Sequence, residues 1–293
     1  MNDDYDPKFD TLSDLDFREG EDYSDFSHRP NKPGLMGDIL TAIKVMINER
    51  TVVPLAKPQV SGNVRLFTYA MYPLVGLIIG IVMMIWVNIA YVIPLSIFLT
   101  ALIGVILVYA VQAGHPLIGF GQAADALFSS RRKETKMRIL MGRTLRPSAV
   151  FAALLLAAGQ LVAFFYLFIR MSIWRGLFSM LAVFILSRAL GSLLTLSLAP
   201  LEPEEDGDMK TLRTVQTILY AMIALSAVGL ILTGSWSALV SIVVIGLTQV
   251  LCHSHFNTRY RGITRKMSKF MVAASETLGL LALILPLGTF LWK

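Results

Sequence analysis

Apolar residues run almost unbroken through seven stretches of the chain, at about residues 67–89, 92–112, 148–169, 176–199, 214–233, 236–252 and 270–291, with polar connections between them. Each can cross a hydrocarbon core of about 30 Å at about 1.5 Å per residue. Lipid offers no partners to backbone N–H and C=O groups, so each is predicted to be a helix. Ahead of them, Met36 to Asn48 places Ile39, Leu40, Ile43, Val45 and Met46 mostly on one helical face. That segment is too short to span and is predicted to lie in the membrane interface. The expected fold is all-α: a polytopic membrane helical bundle with about seven transmembrane helices and an interfacial N-terminal helix.

Composition agrees, since 55% hydrophobic and 16% charged residues in a chain of 293 exclude an ordinary soluble domain. One cysteine, Cys252, allows no internal disulfide. Residues 1–35 differ sharply from the rest, holding ten carboxylates against four cations, with prolines at 7, 30 and 33. They bury too little apolar surface to offset the entropy of ordering, so an acidic, disordered, cytoplasmic tail is expected before a membrane-embedded helical domain at 36–293. The tail lacks the basic and apolar regions of a secretory signal peptide, and the first span is expected to act as the insertion signal.

Beyond the tail, 22 Lys and Arg face ten Asp and Glu. Seven of these cations lie in the loop 113–147 and five in the loop 253–269. With seven spans both loops fall on the side of the N-terminus, and the excess of cations makes that side cytoplasmic, in a cell inner (plasma) membrane.

Within the spans, Gly76 and Gly80 stand four apart, a spacing that lets helix backbones approach closely. Arg188 in "ILSRALGS" and Glu276 in "AASETLGL" are charges at membrane depth, which mark either a site or a mutual ion pair. The run Cys252-His253-Ser254-His255 looks like a metal cluster, but residues one and two apart on a helix do not face one ligand. The segment from Glu202 to Asp208 is expected to be a solvated acidic connection, and the N-terminal tail is complementary in charge to the two basic loops.

Four segments, "LFTYAMYPLVGLIIG", "GHPLIGFGQAADALFSSRRKETKMRILMGR", "ILSRALGSLLTLSLAP" and "RYRGITRKMSKFMVAASETLGLLALIL", occur in the order and at the approximate spacing of landmark segments of the cobalamin synthase family, and over residues 36–290 the chain resembles that family. The resemblance implies an adenosylcobinamide-GDP ribazoletransferase: the 5′-hydroxyl of α-ribazole, or of its phosphate, attacks GDP-activated adenosylcobinamide and GMP leaves. It implies Mg²⁺ as cofactor, held by clustered aspartates, because magnesium takes hard oxygen ligands in an octahedron. The partners it implies are the lipid bilayer and the phosphates of corrinoid and nucleotide, with no nucleic acid. A homo- or hetero-oligomer stays open.

The chain departs from the family pattern at its acidic positions. Ile118 and Gln122 stand where the first two aspartates of the cytoplasmic loop are expected, Gly142 where another is expected, and Arg265-Lys266 replace a Gly-Asp pair. Gln160 takes the place of a lysine, and His115 is displaced by one residue, with Pro116 at its place. Asp125, Arg188 and Glu276 match. By resemblance Asp125, His115 and Glu276 are the catalytic candidates, with Asp125 also the metal ligand, and Arg143, Arg146, Arg188 and Lys266 are the substrate-binding candidates. Basic side chains can grip phosphates directly. The other outcomes are a non-catalytic subunit that binds corrinoid or nucleotide, with the basic run setting topology and lipid contact, and a small transporter using Arg188 and Glu276.

Overall fold

A computed structural model describes residues 35–52, 60–93, 95–142, 145–201 and 207–288. The acidic tail, apart from Leu35, therefore lies outside the described residues, as do Arg143 and most of the acidic connection. The described residues form ten helices: α1 (Leu35–Arg50), α2 (Gly62–Val92), α3 (Ile97–Val111), α4 (His115–Phe128), α5 (Lys133–Met141), α6 (Pro147–Arg170), α7 (Ile173–Leu196), α8 (Met209–Leu232), α9 (Trp236–Tyr260) and α10 (Arg265–Leu283). They contain no β-strand beyond one isolated parallel bridge between Pro200 and Ile263. The all-α membrane bundle is as the sequence predicts.

Local sequence sets the helix starts. Ser61, Ser96 and Thr264 each accept a hydrogen bond from a backbone N–H in the first turn of α2, α3 and α10. Pro116 and Pro147 sit in first turns, where a missing N–H costs nothing. The outward faces are apolar: Ile81, Ile85 and Ile89 of α2, Leu154 and Leu155 of α6, and Leu225 and Leu232 of α8 are exposed. Such a surface suits a hydrocarbon surround and would be a liability in water. Inside, α7 is the central helix, packed against α2, α8, α9 and α10. The glycine spacing does what it predicts, because a Cβ on Gly76 would lie 2.6 Å from the Phe184 carbonyl oxygen and one on Gly80 would meet Leu181 at 2.2 Å.

Length and apolarity of the described helices give a count slightly below the seven or so expected. Five helices, α2, α6, α7, α8 and α9, are long and apolar enough to cross a bilayer, and a sixth crossing is added if α3 and α4 count as one broken span. Two of the seven expected stretches account for the difference. α3 has 15 residues, about 22 Å of helix, and the chain then bends by 87° into α4. The bend is built from two successive left-handed residues, Ala113 at φ 51° and Gly114 at φ 68°. α10 begins with Arg265, Lys266 and Lys269 and carries Glu276 in its body, so its apolarity is diluted, and much of its surface is buried against other helices. The helix before the spans runs to Arg50, and it presents Ala42, Val45 and Met46 to the bundle while Leu40 is exposed.

Candidate functional site

Two polar regions stand out against this apolar frame. In the first, Arg188 of α7 and Glu276 of α10 are 1% and 3% exposed and meet with Nη1 to Oε2 at 2.5 Å. Neighbouring helices complete the layer. Gln160 of α6 donates through Nε2 to Glu276 Oε1 at 3.2 Å, and Arg188 Nη2 donates to Gln112 Oε1 at 3.2 Å. Arg188 Nη1 also donates to the Phe184 carbonyl at 2.9 Å, the oxygen that Gly76 approaches. The guanidinium lies over the rings of Phe184 and Tyr72 at 5.6 and 5.9 Å. Gln249 extends the network, donating to the Ser187 carbonyl and to Ser275 Oγ. A buried charge is tolerable only when paired and hydrogen-bonded, and here both conditions hold. Gln160, in place of the expected lysine, supplies a neutral donor and leaves one cation to one anion.

The second region lies where α4, α6 and α10 come together. Asp125 of α4 accepts from Ser148 Oγ at 2.5 Å, and Arg146 Nη1 stands 3.7 Å from its other oxygen. That oxygen, Oδ2, is buried and accepts no hydrogen bond. Asp125 and Ser148 line a groove of about 630 Å³ whose walls include Phe120, Phe128, Phe151 and Thr277. Phe120 is stacked on Phe270 of α10 at 4.8 Å between ring centroids.

The expected magnesium set can be tested against these positions. Gln122 is buried in α4, Ile118 is largely exposed, and the Gly142 carbonyl accepts a hydrogen bond from the Lys266 ammonium. Two positions where acids are expected thus meet as a backbone carbonyl and a lysine. The stem of Lys269 packs over Gly119, where a Cβ would lie 2.6 Å from its Cδ. Among the described residues no three His, Cys, Asp or Glu side chains come together. Lys266 is thus tethered where the resemblance leads one to expect an acid, and the described residues do not assemble the oxygen set that an octahedral magnesium ion needs.

The other candidates disperse. His115 opens α4 ten residues before Asp125, about 15 Å along a helix, so the two do not form a pair. Glu276 is closed inside its pair with Arg188. His253 Nε2 is 2.8 Å from Ser197 Oγ, His255 packs edge-on to Phe256 and Tyr260, and Cys252 is half-buried, so that run is no cluster. Sequence reasoning missed a third group: Arg50, Arg65 and Arg265 line one pocket although 215 positions separate the first from the last. No spacing rule signals a convergence of three helices.

Comparison with known proteins bears on what this arrangement belongs to. The chain is 32% identical over 124 residues to an adenosylcobinamide-GDP ribazoletransferase of Clostridium perfringens strain SM101, covering 42% of this chain and 49% of that protein. It is 31% identical, with the same coverage, to the protein of that name from strain ATCC 13124. The chain thus spans about half the length of the curated relatives it matches. No solved structure matches it. Residues 40–284, nearly the whole membrane domain, match the family described as cobalamin-5-phosphate synthase, and the chain belongs to that family.

Proposed function

We propose that the protein carries out the reaction named for its relatives, joining adenosylcobinamide-GDP to α-ribazole with release of GMP, at the end of the bundle where the basic loops gather. Family membership over residues 40–284 carries this reading. In the reaction a bond forms between the ribazole 5′-oxygen and the phosphorus attached to cobinamide, the bond from that phosphorus to GMP breaks, and the hydroxyl proton is given up. The groove beside Asp125 suits the acceptor. Its aromatic walls fit a flat, largely apolar base, and the Asp125 carboxylate on the same wall is the group that would take the hydroxyl proton. Arg146 and Lys266, with Arg143 close to Arg146 in sequence, would balance charge on the transferring phosphoryl group, a role of fixed cations that needs no metal ligand set. The excess of cations in these loops supports placing this end in the cytoplasm, in an inner membrane.

A second role is favoured by one observation. With Asp125 held by Ser148 and Arg146, and Lys266 bonded to Gly142, the site could bind phosphates without turnover, as a partner subunit. Purified protein given adenosylcobinamide-GDP and α-ribazole separates the two. GMP release that Asp125→Ala abolishes supports the transferase, and binding of both substrates without GMP supports the non-catalytic relative.

A further inference from the structure

Although α7 is the central helix, its first half comes to the surface, where Trp174 and Phe178 are exposed. There it runs along an outward groove of about 610 Å³ between α2 and α8, lined among others by Leu181 and Ile185 of α7, Leu74 and Leu77 of α2, and Leu225 and Gly229 of α8. The spacing of the three helices explains the groove. Gly76 and Gly80 draw α2 onto α7, whereas a Cβ on Gly229 of α8 would meet only the Ala182 Cβ, at 3.9 Å.

Its position matches one leaflet of a bilayer. α7 lines it from Trp174 to Ile185 and α8 from Met222 to Thr233, about 16 Å along each helix. Both helices have the length and apolarity of membrane spans, and half of a hydrocarbon core of about 30 Å is about 15 Å. The groove belongs to the half farther from Asp125, because α6 starts beside Asp125 and joins the start of α7 through Met171 and Ser172. Trp174 marks its outer end, and an exposed indole suits the boundary between hydrocarbon and headgroups.

The lining asks for an apolar occupant. The Ser226 hydroxyl is taken up by the carbonyls of Met222 and Ile223, and the Thr233 hydroxyl donates to the Leu230 carbonyl at 2.6 Å. Pro73 has no N–H to offer, and Arg175 lies next to Trp174 at the end, so the body of the groove is apolar. Size excludes a helix seated in it. A helix 10–12 Å across and about 16 Å long fills about 1,300–1,800 Å³, at least twice the space present. Riding on the rims, such a helix would leave the floor without contacts, at a loss of dispersion energy. A single flexible hydrocarbon chain can follow the floor throughout.

We propose that this groove is a phospholipid site, holding one acyl chain of the surrounding leaflet along α7 with its headgroup beside Trp174. The chain completes the packing of the helix that carries Arg188, since Ile185 stands one turn before that residue. The site goes beyond the proposed transferase reaction and does not depend on it.

Full-length protein is placed in phosphatidylcholine nanodiscs containing a minor fraction of phosphatidylcholine with a diazirine midway along one acyl chain, then irradiated and mapped by mass spectrometry. Label on wild type is expected to concentrate on Leu181 and Ile185, which are only partly exposed, over Leu154 of α6 and Leu247 of α9, which are more exposed. Gly229→Phe fills the groove from a position with room for a side chain. It is expected to cut groove labelling about tenfold or more, since a filled groove leaves no space for the chain, and to leave Leu154 and Leu247 labelled as before. Gly246→Phe on α9, where a Cβ meets nothing within 4 Å, is expected to change none of these. The wild-type pattern is read without any variant, so a variant that fails to fold leaves the test intact. Labelling of Leu181 and Ile185 no stronger than that of Leu154 and Leu247 would overturn the proposal, as would groove labelling that persists in Gly229→Phe. Cross-linking of Leu181 or Ile185 to a second copy of the chain instead of lipid would reassign the groove to an interface. GMP release enters none of these outcomes.

Discussion

The Arg188–Glu276 layer and the basic end of the bundle handle charge in opposite ways. Inside the bundle one guanidinium meets one carboxylate at 2.5 Å, and Gln160 and Gln112 add one hydrogen bond each, to Glu276 and from Arg188. At the end where α4, α6 and α10 meet, Asp125 accepts from the exposed Ser148 and has Arg146 at 3.7 Å, and the Lys266 ammonium donates to the Gly142 carbonyl. The interior is balanced within the chain because hydrocarbon tolerates nothing else. At the Asp125 end the charges lie partly in water, where an ion pair is worth far less than inside the bundle.

This contrast can be broken most forcefully at Glu276. Glu276→Leu strands a buried guanidinium and is expected to cost about 3–5 kcal/mol of stability, read as a large fall in thermal midpoint in detergent. The double variant Arg188→Met with Glu276→Leu is expected to recover most of that loss. If the single and double variants lose the same amount, the layer is a binding site and not a neutral pair. Gln160→Leu removes one donor to the carboxylate and should cost about 1.5–3 kcal/mol, the range for hydrogen bonds to charged groups. Gly76→Ala pushes a methyl group into the Phe184 carbonyl, and overpacking of about 1–3 kcal/mol is expected. Ser148→Ala, at the opposite end of the comparison, removes one hydrogen bond to a carboxylate that keeps Arg146 nearby. It should cost only about 0.5–1.5 kcal/mol and show its effect mainly in substrate binding.

Much of this was legible in the sequence, and the reasons are physical. Long apolar runs announce helices because lipid permits few alternatives. Gly76 and Gly80 announce a close contact because their spacing is local to one helix. Arg188 and Glu276 announce each other because isolated charges at that depth are costly. The span count was less legible, since a run of apolar residues does not reveal the left-handed bend at Ala113–Gly114 or the burial that lets α10 carry charge. The arginine pocket was not legible at all. It depends on the 199–201 and 261–263 segments lying side by side, a tertiary contact with no signature in either segment alone. The departures at Gly142 and Lys266 could be read singly, but that the two meet as ammonium and carbonyl required the fold.

GMP release from adenosylcobinamide-GDP and α-ribazole, measured with EDTA and then with added magnesium, tests most directly whether side-chain cations replace the metal. Release that persists in EDTA and is lost in Lys266→Gln is the predicted result. Release that EDTA abolishes and magnesium restores would contradict it.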